Sequence, residues 1–342
     1  MYPDLKPIPK KKASTMTEFP PERIQEISKI LRNHDYEMKE RIGYGGFSVI
    51  FKVHSLKYAN DFAAKITNSA STRHKTSAIA GEIEENALQH LNHPNIIKLY
   101  ESFHEDNLSF LIIELCSNKS LRHIIGPNGM PESNLFSYMR QISDALRYCH
   151  SLGFVHRDIK PANVLIDNYG RPKLADFGMC IQVGPDELLH DYVGSPQYLA
   201  PEIINKRHFS PFKTDVWALG VTFYEMAMGP IKWPKDRTLI AATIVDGGIL
   251  ISPLTPPKVA VIVRAMTEMD PAKRPSMDVI RSLRTIEEAG NSNQEISLKS
   301  IRSPISSMVK LSRAQRSILK DSRSVGQLSR YRQKSSTFLI AD

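Results

Sequence analysis

Four short segments of the sequence carry residue types suited to handling phosphate. Gly43 and Gly45 lie in Gly-Tyr-Gly-Gly-Phe-Ser, and glycines let a backbone approach a phosphate group closely. Lys65 lies in the apolar run Ala-Ala-Lys-Ile, where an unpaired ammonium is costly, so it needs anionic partners. His-Arg-Asp at 156–158 and Asp-Phe-Gly at 176–178 add carboxylates. Taken alone, the two glycines are more typical of an ordinary hairpin turn.

The order of the motifs is more informative than any one of them. Along the chain they are the glycine-rich segment 43–48, Lys65, Glu84, His156-Arg157-Asp158, Asp176-Phe177-Gly178 and Ala200-Pro201-Glu202. This order and spacing resembles the signature set of eukaryotic protein kinases over about residues 36–287. Around Asn163 and Gly194 the sequence is most similar to calcium/calmodulin-dependent and AMP-activated-like kinases. The resemblance implies an α+β, two-lobed protein kinase fold, with a strand-rich N-lobe holding one key helix and a mainly helical C-lobe.

The resemblance also assigns catalytic roles, starting with Lys65, whose ammonium would bind the ATP phosphates. Asp158 would accept or orient the hydroxyl of a protein substrate, and Lys160 would neutralise the transferring phosphate, as in serine/threonine kinases. Asn163 and Asp176 would hold Mg²⁺ through hard oxygen ligands. The implied reaction is transfer of the ATP γ-phosphate to a protein serine or threonine. A kinase-fold signalling scaffold with little or no catalysis is the alternative hypothesis.

By the same resemblance, ATP lies in a cleft beside a hinge near residues 113–116. Ser48 replaces the third glycine of the family pattern, a mild departure because a small polar residue can still approach phosphate. The predicted ATP-binding residues are Ile42, Gly43, Gly45, Ser48, Ile50, Ala63, Lys65, Glu84, Glu114, Cys116 and Leu165.

Three glutamates compete as the carboxylate partner of Lys65 on a helix predicted over 77–91: Glu82, Glu84 and Glu85. Helical spacing places Glu84 on the same side as the apolar residues Ala87, Leu88 and Leu91. We therefore choose Glu84.

The segment 194–202 resembles the part of serine/threonine kinases that receives the substrate peptide. Ser195 is expected to contact Asp158 and Lys160. By resemblance, Glu202 pairs with Arg274, and Asp215 braces the catalytic loop.

Regulation is predicted to depart from the family pattern. Arg157 precedes the catalytic aspartate, which is typical of kinases switched on by phosphorylation of the activation segment, yet no serine or threonine lies between Gly178 and Ser195. Asp191 falls near the usual phosphothreonine position. We hypothesise that its carboxylate pairs with Arg157 and holds the segment open without modification. The alternative is a solvated loop aspartate, and Tyr192 remains a candidate modification site.

Substrate selection should also differ, because arginine-directed kinases carry acidic residues where this chain has Ala162 and Ser120. We expect weak selection for basic substrates.

Composition indicates how the chain is divided. Of the formal charge of +9, the segment from Ala289 onward holds +7, with ten Lys and Arg against three Asp and Glu, which leaves +2 for the rest. We predict an N-terminal arm with a short helix over 1–35, a kinase domain over 36–287 with lobes 36–115 and 116–287, and a basic, serine-rich tail over 288–342, disordered by composition. No signal segment or membrane span is visible, and the three scattered cysteines suit a reducing compartment. We expect a cytoplasmic protein, with the nucleus as the alternative.

The predicted partners are protein substrates, without nucleic acid or membrane. Residues 306–320 combine apolar and basic residues in a pattern that resembles a partner helix for calmodulin or another regulator. Disorder with incidental apolar residues is the more ordinary interpretation of that segment.

Overall fold

A computed structural model describes residues 21–44, 48–68, 75–117 and 119–283. The chain divides into two units, residues 1–294 and 295–342, and the second lies outside the described part. Gly45, the N-terminal arm before residue 21 and the tail segment 306–320 also lie outside it.

The N-terminal half is built on one antiparallel sheet. Its five strands are β1 (Tyr36–Tyr44), β2 (Ser48–Ser55), β3 (Asn60–Asn68), β4 (Leu99–Glu105) and β5 (Leu108–Ile113), in the spatial order β1-β2-β3-β5-β4. Two helices accompany them, α1 (Pro21–Asn33) and α2 (Lys75–His90). The register aligns Lys65 of β3 with Ile50 of β2 and Leu111 of β5, so the lysine lies in the middle of the sheet.

The remainder is mainly helical. Its helices are α3 (Leu121–Ile124), α4 (Glu132–Ser151), α5 (Pro201–Ile204), α6 (Pro211–Met228), α7 (Arg237–Gly247), α8 (Pro257–Met266) and α9 (Met277–Ser282). Short strands β6 (Phe154–Val155), β7 (Val164–Ile166), β8 (Pro172–Leu174) and β9 (Ile181–Gln182) form two small antiparallel pairs, β6 with β9 and β7 with β8. The fold is therefore the predicted α+β arrangement of two lobes.

Helix α1 packs on the sheet. Pro21 suits a first turn, and Ile27, Ile30 and Leu31 are buried in one apolar cluster with residues of β2, β3 and β5. The Arg23 guanidinium donates a 2.8 Å hydrogen bond to the carbonyl oxygen of Asp106, at the turn between β4 and β5. The helix thus belongs to the core of the N-terminal lobe.

The helix predicted over 77–91 is α2, which runs from Lys75 to His90. The apolar run 110–115 extends past the end of β5, because the chain leaves the sheet after Ile113. At the end of helix α8, the Thr267 hydroxyl donates to the carbonyl oxygen of Val263. Within the described part of the chain, no helix has the length and apolar character needed to span a bilayer.

Candidate active site

The five groups predicted to handle phosphate and metal line one cleft between the lobes. Lys65, Glu84, Asp158, Asn163 and Asp176 all border this open cavity of about 1230 Å³. They come from β3, α2, the loop after β6, the turn before β7 and the loop after β8. Residues that are far apart in the sequence therefore meet in one place.

Lys65 is held by two carboxylates. Its Nζ lies 2.5 Å from Oε2 of Glu84 and 3.0 Å from Oδ1 of Asp176. Glu84 is buried, whereas Glu82 is exposed and Glu85 pairs with His104 at 3.0 Å. Of the three candidate glutamates, the structure brings Glu84 to the lysine.

Burial and ion pairing shift the pKa values of Lys65, Glu84 and Asp176. Burial alone would lower the pKa of Lys65, but the carboxylates of Glu84 and Asp176 outweigh it and raise that pKa. The Lys65 ammonium lowers the pKa of Asp176. Burial raises the pKa of Glu84, although Lys65 opposes the shift. At neutral pH the lysine is thus cationic and Asp176 anionic, which are the charges that phosphate and a divalent cation need.

The carboxylate of Asp158 is fixed in orientation by three neighbours. Lys160 Nζ lies 2.6 Å from its Oδ2, and the hydroxyl of Ser195 donates to its Oδ1 at 2.8 Å. Asn163 Nδ2 donates to its Oδ2 at 3.0 Å and to its carbonyl oxygen at 2.8 Å. Lys160 also donates to the Ser195 hydroxyl at 2.8 Å. An oriented carboxylate beside an ammonium is suited to receiving a hydroxyl group and stabilising charge on it.

Asn163 and Asp176 are the residues suited to a divalent cation. Asn163 uses Nδ2 for both of its hydrogen bonds to Asp158, and in the described residues its Oδ1 accepts none. Asp176 contributes an anionic carboxylate in the same cleft. An amide oxygen and a carboxylate are the hard ligands that Mg²⁺ prefers, with waters and phosphate oxygens completing its shell.

Asp215 of α6 holds the loop that carries Asp158. Its Oδ2 accepts the backbone N–H of His156 at 2.8 Å and a bond from His150 Nε2 at 3.0 Å, and its Oδ1 accepts the backbone N–H of Arg157 at 2.9 Å. Arg157 has φ +65°, a left-handed conformation that costs energy in a residue with a side chain. The buried carboxylate of Asp215 therefore supports a strained loop, as predicted.

The activation segment, between Gly178 and Ser195, contacts this loop through an ion pair, a hydrogen bond and one close approach of the two backbones. Arg157 Nη1 lies 2.5 Å from Oδ2 of Asp191, and Arg157 Nε donates to the carbonyl oxygen of Met179 at 2.7 Å. Gly194 has φ +120°, and a Cβ there would lie 2.9 Å from the carbonyl oxygen of Arg157. The segment is thus joined to the catalytic loop by the ion pair at Asp191, and its backbone passes close to that loop at Gly194.

A buried ion pair supports the end of the same segment. Arg274 Nη1 and Nη2 lie 2.5 and 2.7 Å from the two carboxylate oxygens of Glu202, and the guanidinium stacks on Trp217 with its carbon 4.9 Å from the ring centre. Arg274 and Glu202 are both buried, and neither borders the cleft. The predicted pair of Glu202 and Arg274 is therefore present, and it lies outside the cleft.

The predicted nucleotide-binding residues divide into two groups. Ser48, Ile50 and Leu165 line the cleft with Lys65 and Glu84. The other predicted residues that the structure describes are not part of that lining. They are Ile42, Gly43, Ala63, Glu114 and Cys116.

The geometry at the hinge explains part of this division. Ala63 is buried and faces Ile113 in the strand register, and Ile113 does line the cleft. The carboxylate of Glu114 turns instead to Lys173 Nζ, at 2.8 Å. The predicted role of the hinge residues in nucleotide binding therefore stays a prediction.

Sequence reasoning missed part of the lining. Thr67 follows Lys65 by two residues and so lies on the same face of β3, a signal that strand periodicity gives. Ala80 and Gly81 of α2 also line the cleft, and a Cβ on Gly81 would lie 3.7 Å from Thr67. Their presence depends on how α2 packs against the sheet, which no local pattern reveals.

A two-lobed fold with these groups in its cleft defines a class of ATP-dependent phosphotransferases. The family model "Protein kinase domain" matches residues 36–284. The chain belongs to the protein kinase family.

Curated relatives agree with this family. Calcium/calmodulin-dependent protein kinase type II of Caenorhabditis elegans is 33% identical over 255 residues, covering 71% of this chain and 35% of the relative. Maternal embryonic leucine zipper kinase of Xenopus tropicalis is 32% identical over 246 residues, covering 71% and 37%. Serine/threonine-protein kinase KIC1 of Saccharomyces cerevisiae is 36% identical over 196 residues, covering 57% and 18%. The chain therefore spans less than half the length of these relatives.

Proposed function

We propose that this protein is a serine/threonine protein kinase that transfers the γ-phosphate of ATP to a protein hydroxyl. The observation that carries the proposal is the convergence of Lys65, Glu84, Asp158, Asn163 and Asp176 on one cleft. Phosphoryl transfer has a loose, charge-rich transition state, so catalysis depends mostly on positioning and electrostatic stabilisation. This cleft offers fixed charges of both signs.

Each side chain has a distinct task in this proposal. Lys65, held by Glu84, binds phosphate oxygens, and Asp176 with Asn163 holds Mg²⁺, which neutralises phosphate charge when bound. Asp158 orients the hydroxyl of the substrate and takes up its proton. Lys160 stabilises the charge on the phosphoryl group in transit.

Replacing Lys65 separates this proposal from the scaffold hypothesis. Lys65→Met removes the ammonium but keeps an apolar chain of similar length, so the kinase proposal predicts loss of phosphotransfer and of any cellular function, with folding retained. Lys52→Met is the matched control, because Lys52 lies on the neighbouring strand and pairs with Asp61 at 3.0 Å. A scaffold would keep its cellular function in both variants.

The activity is proposed to need no phosphorylation of the activation segment. The contact between Arg157 and Asp191 supplies a negative charge next to this arginine of the catalytic loop, where a phosphate would otherwise act. Asp191 is held in place by a charge-assisted hydrogen bond. Unmodified protein made in a bacterial host is therefore expected to be active.

Selection for basic substrates is proposed to be weak. Ala162 carries no charge, and the hydroxyl of Ser120 lies 2.8 Å from Nδ1 of His123. A peptide library tests this, and strong selection for arginine before the phosphorylated residue would contradict it.

We also propose that the tail binds a regulator such as calmodulin. Several relatives are calcium/calmodulin-dependent protein kinases type II. Residues 306–320, outside the described residues, have the apolar and basic composition of a partner helix. Calcium-dependent binding of calmodulin to a peptide of this segment would support the proposal, and no binding would remove it.

A further inference from the structure

Two histidines face each other where the activation segment meets the loop before α6. Leu189 and Phe209 form an isolated antiparallel bridge. The Leu189 N–H donates to the Phe209 carbonyl oxygen with an N···O distance of 2.9 Å, and the Phe209 N–H donates to the Leu189 carbonyl oxygen at 3.0 Å. His190 follows Leu189 and His208 precedes Phe209, so the two imidazoles are a cross-strand pair. Their ring centres are 5.8 Å apart, with the ring planes at 55°.

The backbone bridge presents this pair to solvent. Phe209 is buried in an apolar cluster with Leu199 and Ile203, and Leu189 packs against that cluster. Successive residues of an extended segment point to opposite sides, so the histidines lie on the other side, and both are exposed. Among the described residues, neither imidazole makes a hydrogen bond or an ion pair. Their ring nitrogens are therefore available to a ligand from solution.

We propose that His190 and His208 form a two-imidazole binding site for a divalent transition-metal ion such as Zn²⁺ or Ni²⁺. Imidazole is a preferred ligand of these ions, and its nitrogen lies about 2.0–2.1 Å from zinc. Two imidazoles that share one ion place their ring centres roughly 5–6 Å apart at that bond length. The observed separation of 5.8 Å falls in this range.

Water completes the coordination shell. The described residues contain no group of three or more His, Cys, Asp and Glu side chains suited to a metal ion. A site with two protein ligands binds more weakly than a structural zinc site with four. It therefore responds to changes in metal concentration instead of being permanently filled.

Binding would fasten the activation segment to the rest of the C-terminal lobe. His190 is adjacent to Asp191, which pairs with Arg157 of the catalytic loop. An ion held by His190 and His208 adds a second tie beside that pair, and it stabilises the folded state by RT ln(1 + c/Kd), where c is the concentration of the free ion, so the effect grows with that concentration. The inference rests on the fold and not on phosphotransfer, so it can be tested without nucleotide.

The test is metal binding by the full chain after treatment with a chelator. Zn²⁺ and Ni²⁺ are titrated separately by calorimetry, and the melting temperature is followed with and without each ion. The wild type is expected to bind one ion per chain and to melt at a higher temperature with it. His190→Ala and His208→Ala should each weaken this binding by at least about tenfold, since loss of even an outer partner of a metal ligand costs 10–100-fold.

The control is His104→Ala, which removes another exposed histidine, one that pairs with Glu85. This variant should bind as the wild type does. Melting temperatures measured without metal check that each variant is folded. Equal affinity in the wild type, His190→Ala and His208→Ala would overturn the proposal, as would the absence of saturable binding by the folded wild type.

Discussion

Arg157 Nη1 lies 2.5 Å from Oδ2 of Asp191, so one ion pair joins the catalytic loop to the activation segment. The arginine is mostly buried, whereas Asp191 is 42% exposed. Solvent screening limits such a pair to about 1 kcal/mol, which is roughly a fivefold change in an equilibrium. The pair can therefore bias the segment toward the conformation seen here without fixing it there.

The first prediction removes this carboxylate. Asp191→Ala should lower the rate of phosphotransfer by unphosphorylated protein roughly fivefold, because the segment loses its tie to Arg157. Initial rates on a generic protein substrate measure this. Asp186→Ala, an exposed aspartate of the same segment, is the control and should leave the rate unchanged. An unaltered rate in Asp191→Ala would show that the aspartate is only a solvated loop residue.

The second prediction concerns the partner of Lys65. Glu84→Gln removes the carboxylate charge that pairs with the Lys65 ammonium, a loss of about 1.5–3 kcal/mol, so kcat/KM for ATP should fall roughly 10- to 100-fold. Glu82→Gln alters an exposed residue of the same helix and should change little. Steady-state kinetics at varied ATP concentration give kcat/KM for both variants. Similar values for the two variants would contradict the role of Glu84.

The third prediction concerns a buried pair outside the cleft. Arg274→Ala leaves Glu202 buried without its partner and should lower the free energy of unfolding by about 3–5 kcal/mol. Lys273→Ala, at a neighbouring exposed position, should change it by less than about 0.5 kcal/mol. Denaturant unfolding of both variants gives the comparison. Equal stabilities would mean that the pair contributes nothing.

The fourth prediction tests whether α1 is part of the folded domain, although it precedes the matched residues 36–284. Leu31 is fully buried in the N-terminal lobe, and Leu31→Ala should cost about 2–5 kcal/mol of stability. Lys29→Ala, on the exposed side of the same helix, is the control. If Leu31→Ala unfolds at the wild-type denaturant concentration, α1 does not contribute to the core.

The fifth prediction concerns pH. The Lys65 ammonium lowers the pKa of Asp176 in the folded protein. This carboxyl therefore contributes stability above its unfolded pKa of about 3.9, and the contribution is lost as the pH falls through the lower, folded value. In Lys65→Met the pKa of Asp176 should rise. A carboxyl-carbon NMR titration measures it, and an unchanged midpoint would contradict the assigned pairing.

Some of these relationships could be predicted from sequence because they depend on local periodicity or spacing. Glu84 was distinguished from Glu82 by its position on the apolar side of a helix. Asp191 is matched to Arg157 because it falls near the usual phosphothreonine position. Both relationships follow from helical spacing or from the position of a residue relative to the family pattern.

Other features depend on tertiary packing and leave no local signal. The contact between Glu114 and Lys173 joins the hinge to a strand far along the chain. The meeting of His190 and His208 requires the bridge between two loops. The end of β5 at Ile113 was also not predictable, because the apolar run continues beyond the strand.

The most direct test of the account is phosphate transfer by purified protein. Wild-type chain with Mg²⁺ and γ-labelled ATP is incubated with a generic protein substrate, and the label is assigned by phosphoamino acid analysis, in parallel with Asp158→Asn. The account predicts label on serine or threonine with the wild type, and a rate lower by about 10²–10⁴-fold with Asp158→Asn, the usual contribution of a positioned base. Folded wild type that transfers no label, or Asp158→Asn that matches it, would contradict the account.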